Sequence, residues 1–404
     1  MAGALAGFRV LDLSRILAGP WASQMLADLG AEVIKIERPV SGDDTRGWGP
    51  PYMSDASAGA SSESAYFHAA NRGKQSVCID MSRPEGQALI QDLAGHCDVL
   101  IENFKVGGLK KYGLDYDSLQ PINPKLVYCS ITGFGQSGPY ADRAGYDFMI
   151  QAMGGMMSVT GEADGQPMKI GVALADIMTG LYATNAIQAA LIHQLRSGQG
   201  QYIDMALLDV QVATLANQAM NYLASGINPK RLGNAHPNIV PYQAFPTDDG
   251  FIILAVGNDA QFQRFCELAG KPELAADERF QKNSSRVKNR ATLVPMIEQI
   301  LLTKTAADWL DELNKRGIPC GPINNLDQVF ADPQVRHRGM QLELDHASAG
   351  KVASVANPIN LSQTPIAYDL APPTLGQHTD AVLAGLLGMD AASCEQLRAS
   401  GVLG

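Results

Sequence analysis

The sequence is short of charge, of aromatic side chains and above all of basic residues. Of 404 residues, 18% are charged and 6% aromatic against 46% hydrophobic, and Asp and Glu outnumber Lys and Arg for a formal charge of −10. A chain this acidic offers no broad basic face, which excludes general nucleic-acid binding and adsorption to a membrane surface, and leaves only local basic clusters for a small anionic ligand. No apolar run is long enough to span a bilayer, and MAGALAG lacks the charged and apolar regions of a secretory signal, so a cytoplasmic protein is expected. The six cysteines, Cys78, Cys97, Cys129, Cys266, Cys320 and Cys394, form no CxxC pair and no metal-ligand spacing. Buried reduced thiols are therefore expected, with no disulfide and no metal.

What is present is more chain than one core usually accommodates, so two domains are expected. FRVLDL, AEVIKIE, SVCIDM, DVLIEN and KLVYCSITG read as strands, with helical stretches such as AGPWASQMLADLG and PEGQALIQDLAGH between them. Helix-length spacing between apolar strands implies βαβ units, hence a doubly wound, mostly parallel sheet in an α/β domain. Ser82 before Pro84 and Glu85 has the chemistry of a helix start. After GQGQYIDMALLDVQVATLANQAMNYLAS, a strand and a long helix, Pro and Gly recur at short intervals and YQAFPTDDGFIILAV reads as a hairpin. The expected division is a first part of the large domain over 1–200, a linker helix over 201–227, and a small α+β domain over 228–302. A return linker over 303–329 and a C-terminal part over 330–404, completing the large domain, follow.

Ile170 to Leu195 stands out. Asp176 is the only charged residue between Lys169 and Arg196, placed where a short apolar run gives way to a helix whose apolar positions are Ile177, Leu181, Ile187, Leu191 and Leu195. On spacing alone Asp176 is an N-cap accepting backbone N–H bonds, kept ionised by the helix dipole. A positioned, poorly hydrated carboxylate is also a nucleophile. Upstream, Pro39 to Ser64 is a long polar segment whose Arg46 and Trp48 put a cation beside an aromatic, which suits a lid over an anionic substrate and equally a solvated loop. GFGQSG at 133–138 matches a dinucleotide fingerprint only in form, because Pro139 and YADRAG open no apolar helix; a glycine-lined turn beside a pocket is the better reading.

LDLSRILAGPWASQMLADLGAEVIKIERP strongly resembles the family III CoA-transferases. The resemblance continues through NRGKQSV, DVLIENF, GGLKKYGLDYDSL, SITGFGQSGPYADRAGYD and GVALADIMTGLYA, then GNAHPNIVPYQAF, GIPCGPIN, DPQVRHRGM and LGQHT, so it covers essentially the whole chain. It implies a large domain built from both chain ends, a small central domain, and a homodimer of interlocked chains. It also implies that Asp176 is the nucleophile that attacks an acyl-CoA thioester, with backbone N–H groups of the glycine turns holding the oxyanions. Coenzyme A thioester is then a substrate, and no permanently bound cofactor is expected.

By the same resemblance, Arg38 and Lys111 match CoA-binding positions, Asn103, Phe104, Ile16 and Ala18 line the adenine slot, and Arg72 with Lys74 forms a further cationic cluster. The plain alternative for each cation is a solvated surface side chain. Members acting on formyl-CoA carry polar or flexible residues where this chain has Leu17, Phe134 and Val256-Gly257-Asn258, which turns the expectation away from formate and oxalate. The related α-methylacyl-CoA racemases use a histidine where this chain has Tyr146, and a phenol of ordinary pKa near 10 is a poor substitute. GDDTRGWGPP, AGYD, RLGNAHPNIVPYQAF and LGQHT most resemble the succinyl-CoA:glutarate CoA-transferase subgroup. That implies transfer between succinyl-CoA and a short dicarboxylate, with Arg46, then Arg15 and Arg143, as cations for the distal carboxylate and Trp48 beside them. A racemase and a non-catalytic CoA-binding protein are the alternatives.

Overall fold

The computed structural model describes residues 3–55 and 59–404. Its contacts divide into two compact units, one of Met1–Met156, Ile170–Ala219 and Pro333–Gly404, the other of Met157–Lys169 and Met220–Asp332.

The first unit is built on strands β1 (Arg9–Asp12), β2 (Glu32–Glu37), β3 (Lys74–Cys78), β4 (Val99–Glu102), β5 (Val127–Thr132) and β6 (Tyr202–Ala206). They form one six-stranded parallel sheet in the order β3-β2-β1-β4-β5-β6. Alternation along the strands sends Leu11, Ile34, Ile36, Val77 and Leu100 to one core, and Val10, Val33, Val99, Ile101, Val127 and Ile131 to the other. Both faces are therefore covered by helices, as a parallel sheet requires. α1 (Ala18–Asp28) follows β1, and α2 (Pro84–Gly95) follows β3. Pro84 does take the first helical position, but Ser82 is no cap: Arg83 is the N-cap residue, and the Ser82 hydroxyl donates to Asp80 Oδ1 at 2.6 Å.

Three further helices matter for the site: α3 (Asp147–Met153), α4 (Leu174–Ser197) and α5 (Leu207–Thr214). α4 uses only part of the large apolar stripe expected of it: Ile187 and Leu191 are buried, whereas Ile177 and Leu181 are half-buried. Its buried face is Ala175, Thr179, Gly180, Ala183, Thr184, Ile187, Ala190 and Leu191, while Leu195 is 70% exposed. Small residues there let α4 approach α1 closely: a Cβ on Gly180 would lie 2.8 Å from the Ala18 carbonyl oxygen. The stretch set off as a linker, 201–227, opens with the strand read there, β6, whose residues pair in register with Tyr128–Thr132 of β5, so that it is part of the sheet. α5 follows, and a separate helix runs over Ala216–Ser225, Ala216 having a φ of 45° at the junction.

In the second unit, β7 (Tyr242–Pro246), β8 (Phe251–Ala255) and β9 (Cys320–Pro322) form an antiparallel sheet ordered β9-β8-β7. Thr247 N donates to Gly250 O at 2.9 Å and closes the hairpin at the Asp248-Asp249-Gly250 turn. The expected return linker, 303–329, contributes β9 and the helix Ala306–Lys315, whose Trp309 and Leu313 are fully buried with Phe245 and Leu254. Apolar residues at helical spacing make it part of that core.

The C-terminal segment belongs to the first unit, where it shields the outer strand: Cys78 N donates to Thr379 Oγ1 at 3.0 Å and His378 N to Ser76 O at 2.9 Å. Among the described residues no helix is long and apolar enough to cross a membrane.

Candidate active site

The sheet order reverses between β1 and β4, and an open α/β sheet gathers ligands outside the carboxyl ends of its strands at such a point. A cavity of about 630 Å³ lies there, lined by Leu13 after β1, Glu37 and Arg38 at the end of β2, Asn103 and Phe104 after β4, and Ile131 to Gly133 at the end of β5. Its size is in the range of small-molecule sites. Gly133 and Gly145 both line it and meet backbone to backbone; a Cβ on Gly133 would lie 2.5 Å from Gly145 Cα. The glycine turns thus bring the chain before α3 against the end of β5.

Of the expected CoA-binding residues, Ile16, Ala18, Arg38, Asn103, Phe104 and Lys111 all line this cavity. Arg38 and Lys111 are exposed cations at its wall. Asn103 spends its side chain on the chain opposite, accepting from Arg15 N at 2.9 Å and donating to Arg15 O at 2.6 Å. Ile16 sits at φ 73°, a left-handed backbone that a β-branched residue adopts only under constraint. The constraint is the buried pair of Lys35 and Asp43: Lys35 Nζ reaches Asp43 Oδ2 at 2.9 Å and Ser14 O at 2.8 Å, and Asp43 accepts from Ile16 N at 3.3 Å. Burial raises the Asp43 carboxyl, but the Lys35 ammonium and the Thr45 N–H outweigh it and bring it down to about 2. Neither Lys35 nor Asp43 is marked by any sequence pattern.

Asp176 lines the same cavity from the first turn of α4. It is not the N-cap expected from spacing. Ala173 holds that position, and the orphan N–H groups go to Asp147 on α3, whose Oδ1 accepts from Ala175 N at 2.8 Å and from Asp176 N at 3.4 Å. Nor is the carboxylate held strongly ionised: burial first, then the charge of Asp147, push Asp176 up to about 7. Burial, together with the charges of Asp176 and Asp147, raises the pKa of the Tyr66 phenol. Sequence reasoning passed over Tyr66 and Asp147. No signal marks Tyr66, but Asp147, heading an apolar helix directly after Tyr146, was readable as a helix-start residue.

The remaining expected site residues divide sharply. Arg143 and Tyr146 line the cavity, Tyr146 with 66% exposure. The Arg143 guanidinium lies 4.6 Å from the ring centre of Tyr140 and 5.4 Å from that of Phe134, and no ion pair joins it to a carboxylate among the described residues. Arg15 also lines the cavity but is tied to Asp44 at 2.7 Å and lies over Phe104. Phe134 packs beneath Arg143 against the core rather than lining the cavity.

Arg46, Arg72 and Lys74 are corrections. Arg46 is buried, bidentate to Glu37 at 2.8 and 2.7 Å, paired with Glu63 at 2.6 Å, and its guanidinium lies 3.8 Å from the Phe67 ring centre. Arg72 is bidentate to Asp28 at 2.9 and 2.6 Å and donates to Val355 O. Lys74 is fully buried on Asp12, Pro20 O and Asn71, and burial pulls its ammonium down to about 8 against the pull of Asp12. Their charges are spent inside the protein. Trp48 is exposed and packs edge-on to Tyr66 at 5.4 Å, away from the cavity wall. Residues 56–58 of the expected lid segment lie outside the described residues.

One buried cluster, Glu63, His68 and His346, has the spacing of a metal site among the described residues. Its donor set does not fit one. His346 Nδ1 accepts from Ser348 N at 3.2 Å and Ala349 N at 3.0 Å, so the proton resides on Nε2 and that nitrogen is a donor.

A buried carboxylate and a row of cations around one cavity at the switch point fit CoA chemistry, and comparison with known proteins agrees. The family model described as CoA-transferase family III matches residues 5–379. The chain belongs to that family. Curated family III relatives include the succinate–glutarate CoA-transferase of Agrobacterium fabrum, 56% identical over 95% of this chain and 95% of the relative. The human succinyl-CoA:glutarate CoA-transferase is 43% identical over 99% of this chain and 90% of its own length. Among solved structures, a CAIB/BAIF family protein from Brucella suis superposes with a TM-score of 0.84 at 54% identity, covering 96% of this chain and all of that one.

Proposed function

We propose that this protein transfers CoA from succinyl-CoA to a short dicarboxylate such as glutarate, through an anhydride formed on Asp176. The observation that carries the reading is that Asp176 shares its cavity with Lys111, with Arg143 and with Arg38, an exposed cation that also pairs with Asp44 at 3.1 Å. The activities for which the succinate–glutarate relatives are named supply the acid class.

A carboxylate oxygen of Asp176 attacks the thioester carbonyl, the C–S bond breaks, and CoA leaves as thiolate. The thiolate then attacks the aspartyl carbonyl of the mixed anhydride, releasing succinate and leaving CoA as a thioester on Asp176. The acceptor carboxylate displaces that CoA to form a second anhydride, and the thiolate attacks its acyl carbon, giving the new acyl-CoA and restoring Asp176. Backbone N–H groups of the Gly133 and Gly145 turns hold the oxyanions. Arg38 and Lys111 take CoA phosphates, and Asn103, Phe104, Ile16 and Ala18 its apolar end. Arg143 takes the distal carboxylate, because Arg15 is already paired and Arg46 is buried. The thioester is substrate, no resident cofactor is needed, and the working form is the interlocked homodimer.

The test is a panel of carboxylate acceptors assayed with succinyl-CoA. Asp176→Ala abolishes turnover. Arg143→Ala raises KM about ten- to hundredfold for dicarboxylates, the worth of a charge-assisted pair, and leaves monocarboxylates of equal length unaffected. Substantial transfer by Asp176→Ala, or an equal Arg143→Ala loss on both acid classes, contradicts the reading.

A further inference from the structure

The carboxylate of Asp147 plays no part in the bond-making steps above, yet its surroundings are arranged around it. Oδ1 accepts from Ala175 N and Asp176 N, the first-turn donors of α4, at 2.8 and 3.4 Å. Oδ2 accepts from Gln151 Nε2 at 2.8 Å, and Gln151 Oε1 in turn accepts from Ile170 N at 2.9 Å. Asp147 is thus fixed by its own helix and clamps both the chain entering α4 and the turn that carries Asp176. α4 lacks a side-chain cap of its own, since Ala173 stands at its N-cap. Any acceptor would serve for capping. A full negative charge does something further, because it opposes the ionisation of a second carboxylate nearby.

We propose that Asp147 is the positioning residue of the aspartyl centre, anchoring the turn that carries Asp176 and, by its charge, keeping that carboxylate from becoming too weak a base to attack a thioester. This rests on Asp176 being the nucleophile. A more basic carboxylate is the better attacker, so long as it is ionised at the working pH. Burial and Asp147 together hold Asp176 up to about 7, so attack strengthens as pH rises through about 7 and is lost as pH falls below it.

The charged and titratable groups around Asp176 can be named from each packed element. Asp147 comes from α3 and Tyr66 from the turn Ala65–His68, and both couple to it electrostatically. α1 brings no ionisable side chain from Ala18 to Ala27. α5 carries Asp209, β6 carries Asp204, which is engaged by Gln136 N at 3.0 Å, and β5 carries the buried Cys129. Arg143 lines the same cavity.

The experiment is the pH dependence of kcat/KM for succinyl-CoA in wild type, Asp147→Asn and Asp147→Glu, with hydroxylamine trapping at Asp176 in each. Asparagine keeps an oxygen acceptor for the two N–H groups and removes the charge. Its acid limb is expected to move down by about one pH unit, the scale of a close like-charge interaction, with kcat reduced severalfold and trapping retained. Glutamate keeps the charge, so its limb stays at the wild-type position while kcat falls through misplacement. An unmoved limb in folded Asp147→Asn, or a shifted limb in Asp147→Glu, overturns the proposal; the glutamate variant serves even where the asparagine variant does not fold. Absence of trapping in the wild type removes the aspartyl reading and the proposal with it, an outcome distinct from trapping with an unmoved limb.

Discussion

Asp176 sits under opposing influences. The N-terminal end of α4 favours a negative charge, whereas desolvation and Asp147 disfavour it, and the balance lies at about 7. A carboxylate held there is ionised in a useful fraction at neutral pH without being stabilised into inertness, as the proposed nucleophilic role requires. Arg46 illustrates the opposite use of charge. It is enclosed by Glu37 and Glu63 within 2.6–2.8 Å, so Arg46→Ala removes the guanidinium shared by two buried carboxylates and costs about 3–5 kcal/mol of stability. Urea unfolding measures this. A variant as stable as wild type whose only defect is a raised glutarate KM would return Arg46 to the substrate pocket. The expectation that placed it there rested on an Arg beside a Trp in a polar loop, and that pattern carries no information on burial. Asp176, by contrast, was legible as an isolated acid where a short apolar run gives way to a helix, although its partner on α3 was not, because a cap supplied from another element leaves no local spacing.

The elements explain why the cavity keeps its shape. The strand positions were legible because apolar runs of strand length alternate with helical ones, and the reversal of order at β1 and β4 follows from the doubly wound pattern. What local pattern could not give was the α1–α4 seam. Periodicity pointed to large apolar residues, of which Ile187 and Leu191 are buried, yet the turns of α4 that meet α1 bury small ones, since the requirement there is close approach rather than bulk. Gly180→Ala would set a methyl 2.8 Å from Ala18 O and 3.0 Å from Trp21 Cβ. Backbone must then give way, at about 1–3 kcal/mol, and the start of α1 moves together with the Ile16–Ala18 wall of the cavity. The expected outcome is lower stability in chemical denaturation and a raised KM for the acyl-CoA with kcat largely kept. Wild-type stability and KM would show that the seam has slack. In the run 201–227 the expected strand is β6, paired with β5, but the expected single long helix is two, broken at Ala216, whose φ of 45° no apolar pattern marks.

For the molecule as a whole, a formal charge of −10 coexists with a cavity walled by Arg15, Arg38, Lys105, Lys111 and Arg143. Such contrast directs anionic substrates to one place and keeps them off the rest of the surface. The central claim, that this cavity exists to let Asp176 carry an acyl group, is tested most directly by mass spectrometry of the intact protein and its Asp176 peptide after mixing with succinyl-CoA and hydroxylamine. The account predicts an Asp176 hydroxamate that requires the thioester and disappears in Asp176→Ala. Turnover with no modification of Asp176, or an adduct confined to another residue, would contradict it.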